Sequence, residues 1–172
     1  MKFGIDRLLA DPELRAPLAG KRVALLAHPA SVTADLTHSL DALIAAGVNV
    51  TAMFGPQHGV RGDLQDNMME SPDYTDPVYN IPVFSLYGEV RRPSGQSMGT
   101  FDTILIDLQD VGCRIYTFVT TLLYVLEAAA QRGVGEQAIE PELHGRAGGG
   151  SVAAKQAGWW KSGAPGGCAS AQ

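Results

Sequence analysis

The sequence has few cysteines and no concentrated positive charge. Its two cysteines, Cys113 and Cys168, lie far apart, which fits neither a disulfide framework nor the ligand spacing of a metal site. Two reduced thiols in a cytosolic protein are therefore expected. The formal net charge is -5, and basic residues adjoin only in short pairs such as Lys21-Arg22 and Arg91-Arg92. Nucleic acids and anionic membranes attract basic stripes, so the sequence predicts neither as a partner.

Long hydrophobic runs are also missing. Charged residues from Asp6 onward interrupt the N-terminal segment, whereas a secretory signal needs about 7–15 uninterrupted apolar residues. The most apolar stretch, Phe118 to Ala130, contains Glu127 and is shorter than the ~20 residues of a membrane span. The sequence thus predicts a cytoplasmic protein.

Several cofactor motifs are absent. The turn after the first apolar run reads Ala27-His28-Pro29-Ala30-Ser31 rather than G-x-G-x-x-G, which argues against a dinucleotide. There is no Walker loop, zincin helix or G-x-S-x-G elbow. We therefore expect no cofactor and no metal.

What the sequence does contain is alternating strand and helix patterns. The apolar positions Leu36, Leu40, Leu43 and Ile44 have helical spacing, with Thr33 or Asp35 as N-cap and Gly47 as C-terminal stop. A second helix is predicted from Tyr116 to Arg132, ended by Gly133. Short apolar runs predict four strands, at Val23–Ala27, Val48–Phe54, Pro82–Leu86 and Thr103–Leu108.

This order predicts an α/β domain with a parallel sheet flanked by helices over residues 1–133. In such sheets the ligand crevice lies beyond the carboxyl ends of the strands. Residues 134–172 lack apolar periodicity and contain glycine runs such as Gly148-Gly149-Gly150. We expect this tail to be disordered, either as an out-of-frame translation or as a genuine flexible extension.

Polar residues concentrate after the strand ends. The segment Gly55–Asp63 combines glycines with His58, which can exchange protons near neutral pH, and Arg61, which can grip a carboxylate or hydroxyls. Asp66, Asn67 and Glu70 follow within a connection, Gly55 to Ile81, long enough to indicate a functional loop rather than a surface excursion.

Two further segments could line a site. Asp107 ends an apolar strand, so its carboxylate needs a partner, for which Arg114 is a candidate. The alternative is a structural Asp–Arg pair, with Asp110 capping the following helix. Tyr87 could stack on a sugar ring or merely cover the edge of the core.

These segments resemble the NamZ-type exo-β-N-acetylmuramidases. The resemblance spans about Ile5 to Gly133 and rests on four motifs that occur in the same order. These motifs are Gly20–Val23 leading to His28-Pro29, Phe54–Gly62, Ile81–Gly88 and Asp107–Thr117. It implies the N-terminal part of a Rossmann-like catalytic domain, incomplete here. It also implies release of N-acetylmuramic acid from the non-reducing end of peptidoglycan fragments, without metal or nicotinamide.

The sequence departs from this family at two positions. The family's presumed catalytic glutamate lies in a Pro-Glu-His-Gly loop, where this chain has Gln57, and an amide cannot serve as a general acid or nucleophile. His28 stands where the family usually has asparagine. The alternatives to a glycosidase are therefore a non-catalytic sugar-binding module and an inactive truncated product.

The predicted site combines residues from these loops. We assign catalysis to His58, Glu70 and Asp110, and the expected partner is a small saccharide or muropeptide. The predicted substrate-binding residues are His28, Gln57, Arg61, Asp66, Asn67, Tyr87, Gln109, Arg114 and Tyr116.

Overall fold

A computed structural model describes residues 3–62, 70–88, 90–109 and 117–132, together with the backbone of 135–138. The helices are α1 (Gly4–Ala10), α2 (Pro12–Arg15), α3 (Ser39–Ala45) and α4 (Phe118–Arg132), with short 3₁₀ turns at Ala16–Leu18 and Ser97–Gly99. The strands are β1 (Val23–Ala27), β2 (Val50–Gly55), β3 (Tyr74–Thr75), β4 (Pro82–Ser85), β5 (Thr103–Asp107) and β6 (Gly135–Ala138).

The strands form one mixed sheet in the order β3-β4-β2-β1-β5-β6, in which only β3 is antiparallel to its neighbour. The five parallel strands, numbered along the chain, therefore lie in the order 3-2-1-4-5, as in the doubly wound nucleotide-binding fold. The order reverses between β1 and β5, so the fold places a crevice beyond the carboxyl ends of these two strands. This arrangement confirms the predicted α/β class.

The central strands are buried on both faces, which explains their unbroken apolar sequences. Because side chains alternate across a strand, each strand contributes to two cores. Leu25, Met53 and Leu105 pack with α1 and α3 on one face. Leu26, Phe54, Ile104 and Ile106 pack on the other, with Val125 and Ala129 of α4. The two layers hold the strand ends rigidly, and the crevice is built on them.

The four predicted strands are confirmed to within two residues at each end, but α3 begins later than predicted. Its N-cap is His38, not Thr33 or Asp35. The Thr33 hydroxyl instead donates a hydrogen bond to the Asp35 carboxylate. The two residues lie in a turn that is closed by a hydrogen bond from the Leu36 amide to the Thr33 carbonyl. Leu36 has a φ of 66° and is 79 % exposed, so the helical spacing that included it was coincidental.

Three parts of the fold carried too little sequence signal to predict. The helices α1 and α2 are short, and α1 buries only Ile5 and Leu8. Strand β3 has two residues. Strand β6, with the sequence Gly-Glu-Gln-Ala, has no apolar run, yet it pairs in parallel with β5 from Thr103 to Ile106.

The sheet therefore extends to Ala138, beyond the predicted end of the domain at Gly133. Residues 139–172 lie outside the described residues, so the nature of the tail stays a prediction. Within the described part of the chain, no helix is both long enough and apolar enough to cross a bilayer.

Candidate active-site crevice

The floor of the crevice is a polar cluster around Asp107, the last residue of β5. Its side chain is only 3 % exposed. The Ser39 hydroxyl, in the first turn of α3, donates to Asp107 Oδ2, and the Ser31 hydroxyl donates to the Asp107 backbone carbonyl. Ser31 also accepts from the His28 amide at 2.9 Å. The cluster thus ties the ends of β1 and β5 to the start of α3.

Burial raises the pKa of Asp107 to about 6, although the hydrogen bond from Ser39 acts in the opposite direction. Desolvation wins because a charged carboxylate loses most of its hydration at this depth, and one hydroxyl only partly replaces it. Asp107 therefore exchanges its proton near neutral pH, a property often found in functional sites. Arg114, its predicted partner, lies outside the described residues.

His28, the first residue after β1, forms one wall of the crevice. Its Nε2 accepts from the Gln109 backbone amide at 3.0 Å, and its ring centroid lies 4.8 Å from that of Phe118. Burial, and secondly the nearby charge of His38, lower the pKa of His28 to about 4. The imidazole is thus neutral at physiological pH and links the β1 end to the β5 end.

His38 was not singled out from the sequence, yet it connects three elements. Its Nδ1 accepts from the Leu40 amide at 3.2 Å, which caps α3 and leaves the proton on Nε2. That nitrogen lies 3.1 Å from the Val60 carbonyl and 3.3 Å from the His28 carbonyl. A sequence signal was lacking because Ser, Thr, Asp and Asn are the usual cap residues.

The segment Gly55–Gly62 turns sharply after β2. His58, Gly59 and Gly62 have φ values of 74°, 73° and 75°, and the Gly59 amide donates to the Pro56 carbonyl at 3.0 Å. A Cβ on Gly55 would lie 3.1 Å from a methyl group of Val60, so a larger residue there would require the Val60 side chain to shift. His58 is half-exposed in a left-handed conformation, which costs a non-glycine residue on the order of 1–3 kcal/mol and is common in functional sites.

Gln57 reaches from this turn toward α4. Its Oε1 accepts from the Thr117 hydroxyl at 3.3 Å. Thr117 precedes α4, which follows β5, whereas Gln57 follows β2. The contact therefore joins the segments that follow the two neighbours of β1, while His28 at the end of β1 bonds to Gln109 beyond β5.

Arg61 makes a different set of contacts from the one predicted. Its Nη2 lies 2.9 Å from Asp41 in α3, and its Nε lies 3.2 Å from the buried Asp76. The hydrogen bonds from Arg61 lower the pKa of Asp41 and hold its carboxylate charged. In this structure Arg61 thus binds two protein carboxylates, and these ion pairs attach the turn after β2 to α3 and to Asp76.

The other predicted residues are spread more widely. Glu70 is exposed and directly precedes Ser71, whose amide donates to the Tyr87 carbonyl beyond β4. Tyr87 is half-buried, with the Arg91 guanidinium 5.2 Å from its ring centroid. The predicted site residues that lie outside the described residues are Asp66, Asn67, Asp110, Arg114 and Tyr116. Within the described ranges, no three His, Cys, Asp or Glu side chains cluster as metal ligands do.

Comparison with known proteins gives a consistent family relationship. The family described as "Exo-beta-N-acetylmuramidase NamZ, N-terminal" matches residues 23–139, which include β1 through β6. The peptidoglycan β-N-acetylmuramidase NamZ of Bacillus subtilis is 42 % identical over 135 residues, which is 78 % of this chain and 32 % of that protein.

Two crystal structures of DUF1343 family proteins from Bacteroides fragilis are similar in fold. One has a TM-score of 0.70 at 35 % identity, and the other has a TM-score of 0.64 at 28 % identity. Each comparison covers 80 % of this chain and 34 % of the solved chain. The chain thus spans about a third of the length of the relatives it matches.

Proposed function

The chain belongs to the family of the exo-β-N-acetylmuramidase NamZ N-terminal domain, and we propose that it forms the crevice-bearing part of a peptidoglycan glycosidase. The proposed reaction releases N-acetylmuramic acid from the non-reducing end of peptidoglycan fragments in the cytoplasm. The observation that carries this proposal is the contact between Gln57 and Thr117. It supports a role for position 57 at the crevice, where the family's loop has its glutamate.

In this proposal, residues of the loop after β2 and residues after the end of β5 both act on the substrate. His58 polarises a reacting group or relays a proton, because an imidazole can both donate and accept a hydrogen bond. Gln57 and Gln109 hold sugar hydroxyls and the N-acetyl group. His28, neutral and anchored to the Gln109 amide, fixes the distance between the two loops.

The proposed carboxyl groups are Glu70 and Asp110, and the strand order bears on how they can cooperate. Glu70 directly precedes Ser71, whose amide bonds to Tyr87 beyond β4, and Asp110 is the third residue after β5 in sequence; the ends of β4 and β5 lie three strand positions apart. At about 4.8 Å per strand this is roughly 14 Å. Retaining glycosidases hold their carboxyl groups about 5–5.5 Å apart and inverting ones about 6.5–9.5 Å apart. The separation of the strand ends exceeds both ranges, so catalysis by this pair requires the two side chains and their loops to span the difference.

A second candidate function is sugar binding without catalysis. The observation that favours it is Gln57 itself, since a carboxamide can hold hydroxyls through two hydrogen bonds but cannot donate an acidic proton. The candidate substrate-binding residues Arg114, Asp66, Asn67 and Tyr116 would serve either function.

Restoring the carboxyl group separates the two candidates. We expect Gln57→Glu to raise the release of N-acetylmuramic acid from a chromogenic β-N-acetylmuraminide at least tenfold over the unchanged 172-residue chain. The new carboxyl oxygen would take the place of Oε1 and keep the bond from Thr117. Gln109→Glu is the matched control, because it adds a carboxyl group to the opposite wall, and it should not raise turnover.

The remaining outcomes are equally informative. Saccharide binding by the chain with no turnover in any variant would favour the binding module. Absence of both binding and turnover in a chain that melts cooperatively would refute the glycosidase proposal.

A further inference from the structure

His38 makes hydrogen bonds beyond the one that caps helix α3. Its Nδ1 accepts from the Leu40 amide at 3.2 Å, which is the capping bond. Its Nε2 lies 3.1 Å from the Val60 carbonyl, in the turn after β2, and 3.3 Å from the His28 carbonyl, after β1. A cap requires only the first of these bonds, because serine or asparagine would supply it with a shorter side chain. The bonds of Nε2 therefore need a separate explanation.

We propose that His38 is a positioning residue, which holds the turn Gly55–Gly62 against the end of β1 through the bonds of its Nε2. This inference rests on the proposed function, because the turn carries position 57 and His58. It adds a residue that acts through this turn rather than on the substrate.

The protonation state of the imidazole suits this role. Because Nδ1 accepts a hydrogen bond, it carries no proton, and the neutral ring therefore has its proton on Nε2. That one N–H is shared between the carbonyls of His28 and Val60. Burial, and secondly the charge of Arg61, lower the pKa of His38, which keeps the ring neutral at physiological pH. Both ring nitrogens are thus used, one for the helix and one for the crevice.

The turn needs such an attachment because its backbone is strained. His58 and Gly59 have φ values of 74° and 73°, directly before Val60. A left-handed conformation is unfavourable for a residue with a Cβ and persists where surrounding contacts impose it. The bond from His38 to the Val60 carbonyl is one such contact, and it lies next to the strained residues. Without this bond, we expect His58 to leave the left-handed region more often.

The second acceptor, the His28 carbonyl, connects His38 to the opposite wall of the crevice. The His28 ring accepts from the Gln109 amide at 3.0 Å, so the end of β1 is itself attached to the segment after β5. His38 extends this connection to the turn after β2. Since β1 lies between β2 and β5 in the sheet, the two histidines together fix the spacing of the three strand ends.

Two substitutions separate the functions of the ring. Asparagine places an oxygen near the position of Nδ1 and caps helices well, but it is too short to replace Nε2. Glutamine places an amide nitrogen near the position of Nε2 and can donate to the two carbonyls, but it is not among the residues that cap helices well. His38→Asn should therefore keep the cap and release the turn, and His38→Gln should do the reverse.

The test is amide hydrogen exchange, followed by NMR, in the 172-residue chain and in both variants. The reporter of the turn is the amide of the buried Gly59, which donates to the Pro56 carbonyl at 3.0 Å. The reporter of the cap is the Leu40 amide. We expect the Gly59 amide to exchange about tenfold faster in His38→Asn, which loses the bond to the turn, and at the unchanged rate in His38→Gln. The Leu40 amide should show the opposite pattern.

The exchange of the Leu25 amide, in the central strand β1, is measured alongside as the report of global unfolding. Unchanged exchange at Gly59 in His38→Asn would overturn the proposal. Equally fast exchange at Gly59 in both variants would also overturn it, because loss of the cap would then be what loosens the turn. An increase at Gly59 that only matches the increase at Leu25 counts against it as well.

Hydrogen exchange keeps this proposal separate from the proposed reaction. In the Gln57→Glu chain, His38→Asn should lower kcat about tenfold by misplacing the turn, whereas His38→Gln should retain kcat. Equal kcat values in the two variants would contradict a positioning role. If Gln57→Glu releases no N-acetylmuramic acid, the glycosidase proposal fails, and the exchange at Gly59 still decides the role of His38.

Discussion

Two buried titratable side chains meet at the crevice with opposite responses to pH. The pKa of His28 is lowered from 6.5 to about 4, so the unfolded chain binds more protons at this residue between these values. His28 therefore makes the protein less stable as the pH falls through that window. The pKa of Asp107 is raised from 3.8 to about 6, so the folded chain binds more protons there, and Asp107 destabilises the protein as the pH rises. The two effects partly cancel between about pH 4 and 6.

Replacing Asp107 by Asn should isolate one of these responses. Relative to the unchanged chain, Asp107→Asn should gain about 2–3 kcal/mol in free energy of unfolding between pH 4 and pH 7.5, because the cost of a buried ionised carboxylate is removed. Urea unfolding at both pH values measures this. Val78→Ala, at an exposed position, serves as the control and should show no such gain. A difference that stays constant with pH would contradict the assignment to Asp107.

Among the helices and strands, those whose apolar sequence reflects burial were predicted, whereas features that depend on individual contacts were missed. The strands β1, β2 and β5 were predictable because a strand buried on both faces must be apolar, and β4, which is only partly buried, was predictable from its short apolar run. The start of α3 was not, because His38 caps it through a ring nitrogen. Strand β6 was not, because backbone pairing with β5 places it in the sheet despite its polar sequence.

The same division applies to the candidate site. The rule that ligands bind beyond the carboxyl ends of parallel strands led to His28, Gln57 and Gln109; the structure joins His28 to Gln109 and Gln57 to Thr117. Residue type alone could not reveal that Arg61 is occupied by Asp41 and Asp76. The two carboxylates lie 20 and 15 residues from Arg61, in α3 and directly after β3, and only tertiary packing brings them within reach.

The turn after β2 should depend on this arginine. Arg61→Ala would leave the carboxylate of Asp76, which is 2 % exposed, without its cationic partner. We expect a loss of about 1–3 kcal/mol in the free energy of unfolding, because Asp76 is buried whereas the Arg61 side chain is 32 % exposed and partly screened by solvent. Arg22→Ala removes the exposed pair with Asp102 and should cost much less. Equal losses, measured by urea unfolding, would argue against the anchoring role.

For the whole molecule, the main question is where the cooperative unit ends. The pairing of β6 with β5 indicates that it includes residues to Ala138, and the tail from 139 onward is predicted to add nothing to packing. A chain ending at Ala138 should therefore melt at the same midpoint as the full chain. A chain ending at Arg132 should melt at least 5 °C lower, since a loss of about 1 kcal/mol lowers the midpoint of a domain of this size by roughly 3–6 °C. Equal midpoints for the two shortened chains would contradict a structural role for β6.

The short antiparallel strand β3 has a consequence for growth of the sheet. It consists of Tyr74 and Thr75, lies between Pro72 and Pro77, and covers the outer side of β4. A two-residue rim with prolines nearby offers an incoming strand very few free amide groups. Further parallel strands can therefore be added at one edge of the sheet only. Among the described residues, this is the outer edge of β6, where the sheet of the longer relatives could continue.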